Sequence, residues 1–259
     1  MTFEANPAGL SPATPLYSIW YRCWIDAISS AVRMPAVALV AFVLLIPLVA
    51  VNSKLVLSGE GKSAAIRLVV VTAEAFVLAP LLIAVHRDVL FGELTRYYSL
   101  RPFGRYLRFA GYAIIFEIVA EIATQWIAKG IGSYWFLVIQ TIALIVLLYV
   151  GLRMLILFPA IAIDAPRASW RQAWRESQGH SLALLSSSLL ASLPLVLIIV
   201  LYGAAVIATS PDPVPAVPVW ARAIIWAAVA VLFGPVYAAM ASRLYQAFGG
   251  EIPAAANNA

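Results

Sequence analysis

Three glutamates stand where a chain dissolved in hydrocarbon should have none. Glu74, Glu117 and Glu121 each fall inside an otherwise apolar run. An ionised side chain at the centre of a bilayer costs about 3 kcal/mol on insertion scales, so each acid must be protonated, hydrated or paired. Glu117 and Glu121 are four residues apart and share one face of a helix, which Thr124 and Gln125 extend. Counted from the ends of their runs, Glu74 and Glu117 fall near mid-bilayer, and Arg67 is spaced to reach Glu121 by stretching along its stem. Two chemistries follow. The acids form a polar cluster that carries protons or coordinates a cation, as a transporter or channel requires, or they are a structural set, neutralised or paired with Arg67 inside a bundle.

A second group of residues suits the membrane surface. Trp20 and Trp24 are four apart, as are Trp170 and Trp174, so each pair lies on one helical face. The second pair belongs to SWRQAWRESQGH (169–180), where Arg171 and Arg175 share a different stripe and Ser169 with Gln172 has the form of a capping box. An aromatic face beside a basic one describes a helix lying in the interface plane, in contact with anionic lipid or a membrane partner. Arg153 shares a stripe with Thr141, Ile145 and Tyr149 about one turn inside a span, with Asp88, Glu93 and Asp164 as nearby partners. His86, Arg87 and Glu93 gather at the end of another span. With Arg153 they form a candidate contact for lipid or partner at the cytoplasmic interface. A cleft gathering Arg153, His86 and Glu93 would instead suit an intramembrane lipid-modifying enzyme.

Other chemistry is excluded more firmly. The lone cysteine, Cys23, rules out an intramolecular disulfide or a thiolate metal cluster, and His86 and His180 are too few and too scattered for a metal site. No Gly-rich phosphate loop or H-E-x-x-H is present. Ser186, Ser187, Ser188 and Ser192 have no histidine at their depth to act as base. The expectation is a protein without catalytic residues, cofactor or metal.

The elements that must position these residues are set by composition. Of 259 residues 63% are hydrophobic and 11% charged, and mean hydropathy is +0.93. A soluble domain is about a quarter charged, so water is the wrong solvent. A spanning helix needs about 20 apolar residues, and six stretches qualify: 34–51, 68–85, 109–128, 134–157, 183–208 and 223–242. Pro47, Pro80, Pro194 and Pro235 interrupt them, which membrane helices tolerate when neighbours satisfy the freed carbonyls. Between the last two, SPDPVPAVP (210–218) forbids helix. Residues 1–33 read as a retained cytoplasmic segment with an interfacial helix, and 248–259 as a short cytoplasmic tail without order.

Lys and Arg fix the direction. Twelve lie on one set of connections and five on the other, which by the positive-inside rule places both termini in the cytoplasm. The net charge of +5 sits in these short loops, a placement that serves anionic lipid and not nucleic acid. The fold class is therefore all-α: a polytopic bundle of about six transmembrane helices with short amphipathic interfacial helices on the cytoplasmic side.

The stretch RMLILFPAIAIDAPRASWRQAWRESQGH (153–180), followed by an uncharged span and later by SRLYQAFGGE (242–251), resembles a bacterial family. It is the family of polytopic membrane proteins named for the membrane domain of glycerophosphoryl diester phosphodiesterase, together with similar uncharacterised inner-membrane proteins. The matching features are the exit from Arg153 to Pro159, Asp164, the Trp174, Ser177 and Gly179 segment, and Arg243, Leu244 and Tyr245. The resemblance implies a six-helix module of the bacterial inner membrane. It carries over no catalytic residues, because the phosphodiesterase belongs to a separate soluble domain that no region of this chain could hold. The leading expectation is a non-enzymatic protein that engages membrane lipid, another membrane protein or a second copy of itself through its cytoplasmic helices. The alternatives are a small transporter or channel using the buried acids, and a lipid-modifying enzyme.

Overall fold

The computed structural model describes residues 16–58, 63–100, 104–129, 134–209 and 218–248. The proline-rich turn from 210 to 217, the closing tail and the side chain of Glu121 lie outside the described residues. Within them the chain forms helices and no strands: α1 (Leu16–Arg33), α2 (Pro35–Ser58), α3 (Ser63–Phe91), α4 (Gly104–Lys129), α5 (Tyr134–Met154), α6 (Leu157–Ala162), α7 (Trp170–Glu176), α8 (Ser181–Thr209) and α9 (Val219–Ala247). Five stretches of helix are long and apolar enough to cross a membrane: Pro35–Leu55, Ala65–Phe91, Val138–Ala162, Ser181–Ile198 and Val219–Ala247. α4 equals them in length, 26 residues, while Glu117, Glu121 and Gln125 lower its hydropathy. With α4 counted, the bundle has about six helices of spanning length.

Several helices run beyond the apolar stretches that announce them. α3 has 29 residues, about 43 Å at 1.5 Å per residue, so it projects past hydrocarbon about 30 Å thick. Other boundaries have local causes. Pro35 has no N–H to donate and disfavours helical geometry in the residue before it, which separates α1 from α2 at Met34. α3 ends at Gly92, in a left-handed conformation with φ +69°, whose N–H reaches the Asp88 carbonyl at 2.8 Å. α6 ends in a Schellman turn: Ala165 N–H donates to Ala160 O at 2.9 Å and Asp164 N–H to Ile161 O at 3.1 Å. The left-handed position there is held by Asp164, φ +52°. At the start of α7, Ser169 accepts from the Gln172 N–H. The Gln172 side chain turns forward to Glu176 at 2.8 Å, so only half of the expected capping box forms.

Pro80 shows how the bundle accommodates a break. Its missing N–H frees the carbonyl of Phe76, and the Tyr106 hydroxyl of α4 donates to that oxygen at 2.8 Å. One residue on, Tyr98 donates to Val77 O at 2.7 Å. The proline site in α3 thus fastens both α4 and the 92–100 segment.

Short connections make successive helices antiparallel, so α1, α6 and α7 gather with the start of α2, α4 and α8 and the end of α3, α5 and α9. This is the Arg-rich end, and the continuous apolar core lies here: Ile19, Val37, Leu81, Phe109, Ile156, Leu184, Leu244 and Tyr245 are all buried. α9 runs through the centre against α1, α2 and α3. Its Ala223, Ala227, Ala238, Ala239 and Ala241 are buried, small residues that let backbones approach where burial against lipid supplies no hydrophobic drive. α5 and α8 are peripheral, exposing Ile142, Ile145, Leu148, Leu197 and Leu201 as an acyl-chain surface. α1 docks through a stripe of Ile19, Cys23, Ala27 and Ser30 and two polar ties. Asp26 takes a two-pronged bond from Arg243, 2.8 and 3.0 Å. Asp88 accepts from Ser30 at 2.5 Å and Arg33 at 2.8 Å.

Candidate functional site

The acids of the membrane interior lie on α3 and α4, and cavities reach Glu74 and Glu117. Glu74 of α3 shares a cavity of about 400 Å³ with Asn52 and Ser53 of α2 and Arg222 and Trp226 of α9. Asn52 donates a hydrogen bond to the Glu74 carboxyl. The amide oxygen of Asn52 and Oε1 of Glu74 are buried with no hydrogen-bond partner among the described residues. Both leftover atoms are acceptors, so the site asks for a donor or a positive charge. Arg222 is the fourth residue of α9, and the cavity therefore lies toward the end opposite the Arg-rich one.

Glu117 of α4 lines a second cavity, of about 280 Å³, toward the Arg-rich half. Its walls include Phe109, Phe116, Phe158 and Tyr237, and His86 of α3 brings an imidazole to it. His86 is 2% exposed, and its Nδ1 lies 2.8 Å from the Ser242 hydroxyl of α9. Gly234 completes the wall, where a Cβ would come within 3.1 Å of Leu82. Glu74 and Glu117 are near enough to interact electrostatically. Two carboxylates so placed repel one another when both are charged. Of the expected polar cluster, Glu74 and Glu117 therefore come together. Arg67 lies on α3, half-buried, and its pairing with Glu121 falls outside the described residues.

The surface group is dispersed instead of gathered. His86 sits within the bundle and not at the interface. Arg87 pairs with Glu93 and donates to the Ala162 carbonyl at 3.3 Å. Arg153 is 5% exposed, its guanidinium 5.2 Å from the Tyr149 ring and 4.3 Å from the Trp174 ring, which meet each other edge-on, and donates to Ser177 O at 3.4 Å. The carboxylates expected beside Arg153 are engaged elsewhere: Asp88 by Arg33, Glu93 by Arg87 and Asp164 by Arg105. Among the described residues, His86 lines the cavity of Glu117, and neither Arg153 nor Glu93 lines it with them. Trp24 packs edge-on against Phe233 at 5.2 Å, and Trp20 lies edge-on to Tyr21. Trp170 remains 52% exposed with Arg171 beside its ring, and Arg175 is exposed.

Asn52, Arg222 and Trp226 enter the site without having been singled out by sequence. Asn52 just follows an apolar run and Arg222 just precedes one, so each reads as a boundary residue until the helices are set side by side. Comparison with known proteins finds no matching family, no matching curated protein and no matching solved structure.

Proposed function

We propose that this integral membrane protein is a small transporter in which Glu74 and Glu117 pass a proton or a small cation across the middle of the membrane. The observation that carries this reading is the pair of cavities: one reaches Glu74 from the end opposite the Arg-rich one, the other holds Glu117 on the Arg-rich side. The two acids are near enough to act on one another electrostatically. A dry, packed interior would have favoured acids that serve only the fold. With the Arg-rich end in the cytoplasm of a bacterial inner membrane, Glu74 faces outward and Glu117 inward. The likeness to the phosphodiesterase-membrane-domain family adds only a six-helix module to this reading.

The test is flux into liposomes containing the purified chain, read by an internal pH dye and by sodium- and potassium-sensitive dyes. Wild type is expected to exceed empty liposomes for one of these ions, and Glu74→Gln and Glu117→Gln to lower that flux at least tenfold while keeping the wild-type unfolding temperature within a few degrees. Wild-type flux equal to empty liposomes for all three ions, or unaltered in both variants, overturns the proposal.

A second reading keeps the surface helices. α7 presents Trp170, Arg171 and Arg175 outward, which suits contact with anionic lipid or another membrane protein. Trp24 and Trp174 are occupied by packing within the bundle, while α1 still exposes Tyr21 and Arg22 beside the half-buried Trp20.

A further inference from the structure

A cavity of about 530 Å³ that holds neither Glu74 nor Glu117, but is lined by Asp164, lies at the Arg-rich end between α3, α4 and the 92–100 segment. Its two ends differ in chemistry. Val37, Pro80 and Ile83 make an apolar wall that continues down α3 into the spanning region. Arg87, four residues short of the end of α3, and Arg105, the second residue of α4, line it together with Thr95 and Asp164. The 92–100 segment is held over the cavity by the Tyr98 bond to α3 and exposes Leu94, Tyr97 and Leu100 beside it.

We propose that this cavity binds one membrane phospholipid, its phosphate between Arg87 and Arg105 and an acyl chain against Val37, Pro80 and Ile83. Guanidinium forks suit phosphate oxygens because each presents five donors in a plane. Arg105 spends its Nε and one terminal nitrogen on Asp164. Arg87 spends one terminal nitrogen on Glu93 and the other on the Ala162 carbonyl, so donors remain on both. The carboxylates that hold them are half exposed, 50% for Glu93 and 49% for Asp164. Ion pairs of that exposure are worth about 0–1 kcal/mol, little enough for a phosphate to share or take the guanidinium. Asp164 occupies a left-handed backbone position that glycine would fill at lower cost, which fits a carboxylate kept to neutralise Arg105 when no phosphate is present. A water-soluble phosphate would meet the arginines equally well but would leave the apolar wall and the exposed Leu94, Tyr97 and Leu100 unused, so the lipid is the favoured source.

Native mass spectrometry of the delipidated full chain decides this, with phosphatidylglycerol, diacylglycerol and inorganic phosphate as separate probes. One phosphatidylglycerol is expected to be retained, diacylglycerol not, and millimolar inorganic phosphate is expected not to displace the lipid. The Arg87→Gln/Arg105→Gln double variant should bind at least tenfold more weakly. Ile83→Trp, which fills the apolar wall and leaves the ion pairs intact, should do the same. Retention equal to wild type in both variants, binding of diacylglycerol as strong as that of the phospholipid, or complete displacement by inorganic phosphate overturns the proposal.

Discussion

Cys23 shows how far one position can be fixed by its surroundings. The thiol is wholly buried and donates to the Trp20 carbonyl at 2.8 Å, and burial with the nearby Asp26 charge pushes its pKa from 9.0 up to about 12. Because only the thiolate attacks, the reactive fraction at neutral pH falls about a thousandfold. In detergent micelles the native protein is expected to resist maleimide for hours and to label fully once denatured in SDS; quick native labelling would show α1 undocked. Arg153 is the opposite case, a buried charge set against two aromatic rings and one carbonyl, with its Nε left without a hydrogen-bond partner among the described residues. Desolvated cation–π contacts reach about 2 kcal/mol, which is how the site dispenses with the carboxylate that sequence proximity suggested. Glu74 and Glu117 were legible because a charge inside an apolar run has few explanations. Asn52 and Arg222 were not, since which boundary residues meet depends on the register between α2, α3 and α9, and no residue spacing encodes it.

At the level of helices, hydropathy located every long element and missed what ties them. The helices outlast their apolar stretches because the solvated turns at each end are invisible to a hydrophobicity reading. The use of Tyr106 and Tyr98 as substitutes for a proline's lost bonding is equally hidden, because the donors are 30 and 21 residues away from the acceptors. Tyr106→Phe strands the Phe76 carbonyl, and an unsatisfied buried carbonyl costs about 1–3 kcal/mol. A fall in unfolding temperature is expected in the single variant. In the Pro80→Ala background, the restored N–H serves the same oxygen, and Tyr106→Phe should then cost less than half as much. Equal costs in both backgrounds would mean that the hydroxyl does not replace the helical bond.

Across the whole molecule the two ends are unlike. The Arg-rich end holds the continuous core, the docked α1 and the ion pairs, while α5 and α8 offer bare aliphatic surface along their other halves. The count of cations predicts that the dense end faces the cytoplasm. Reporter fusions at Lys62, Lys129 and Asp212 should therefore give an extracytoplasmic signal, and a cytoplasmic signal from all three would invert the direction assigned to the acids. Architecture was readable because lipid demands long apolar helices. The packing order was not, since short loops fix neighbours along the chain and say nothing about which distant helices meet.

The pairing of α1 with α9 has a consequence for biogenesis. The Asp26 to Arg243 bond joins residues 217 positions apart, and the ribosome makes α1 before any other described helix and α9 after all of them. Until α9 arrives, Asp26 lacks Arg243 and Trp24 lacks Phe233, so the buried stripe of α1 stays uncovered through most of translation. The last helix is the clasp. A chain cut short before α9 presents an acid and an indole that the finished protein hides, a signature by which a membrane chaperone or protease can tell an incomplete molecule from a complete one.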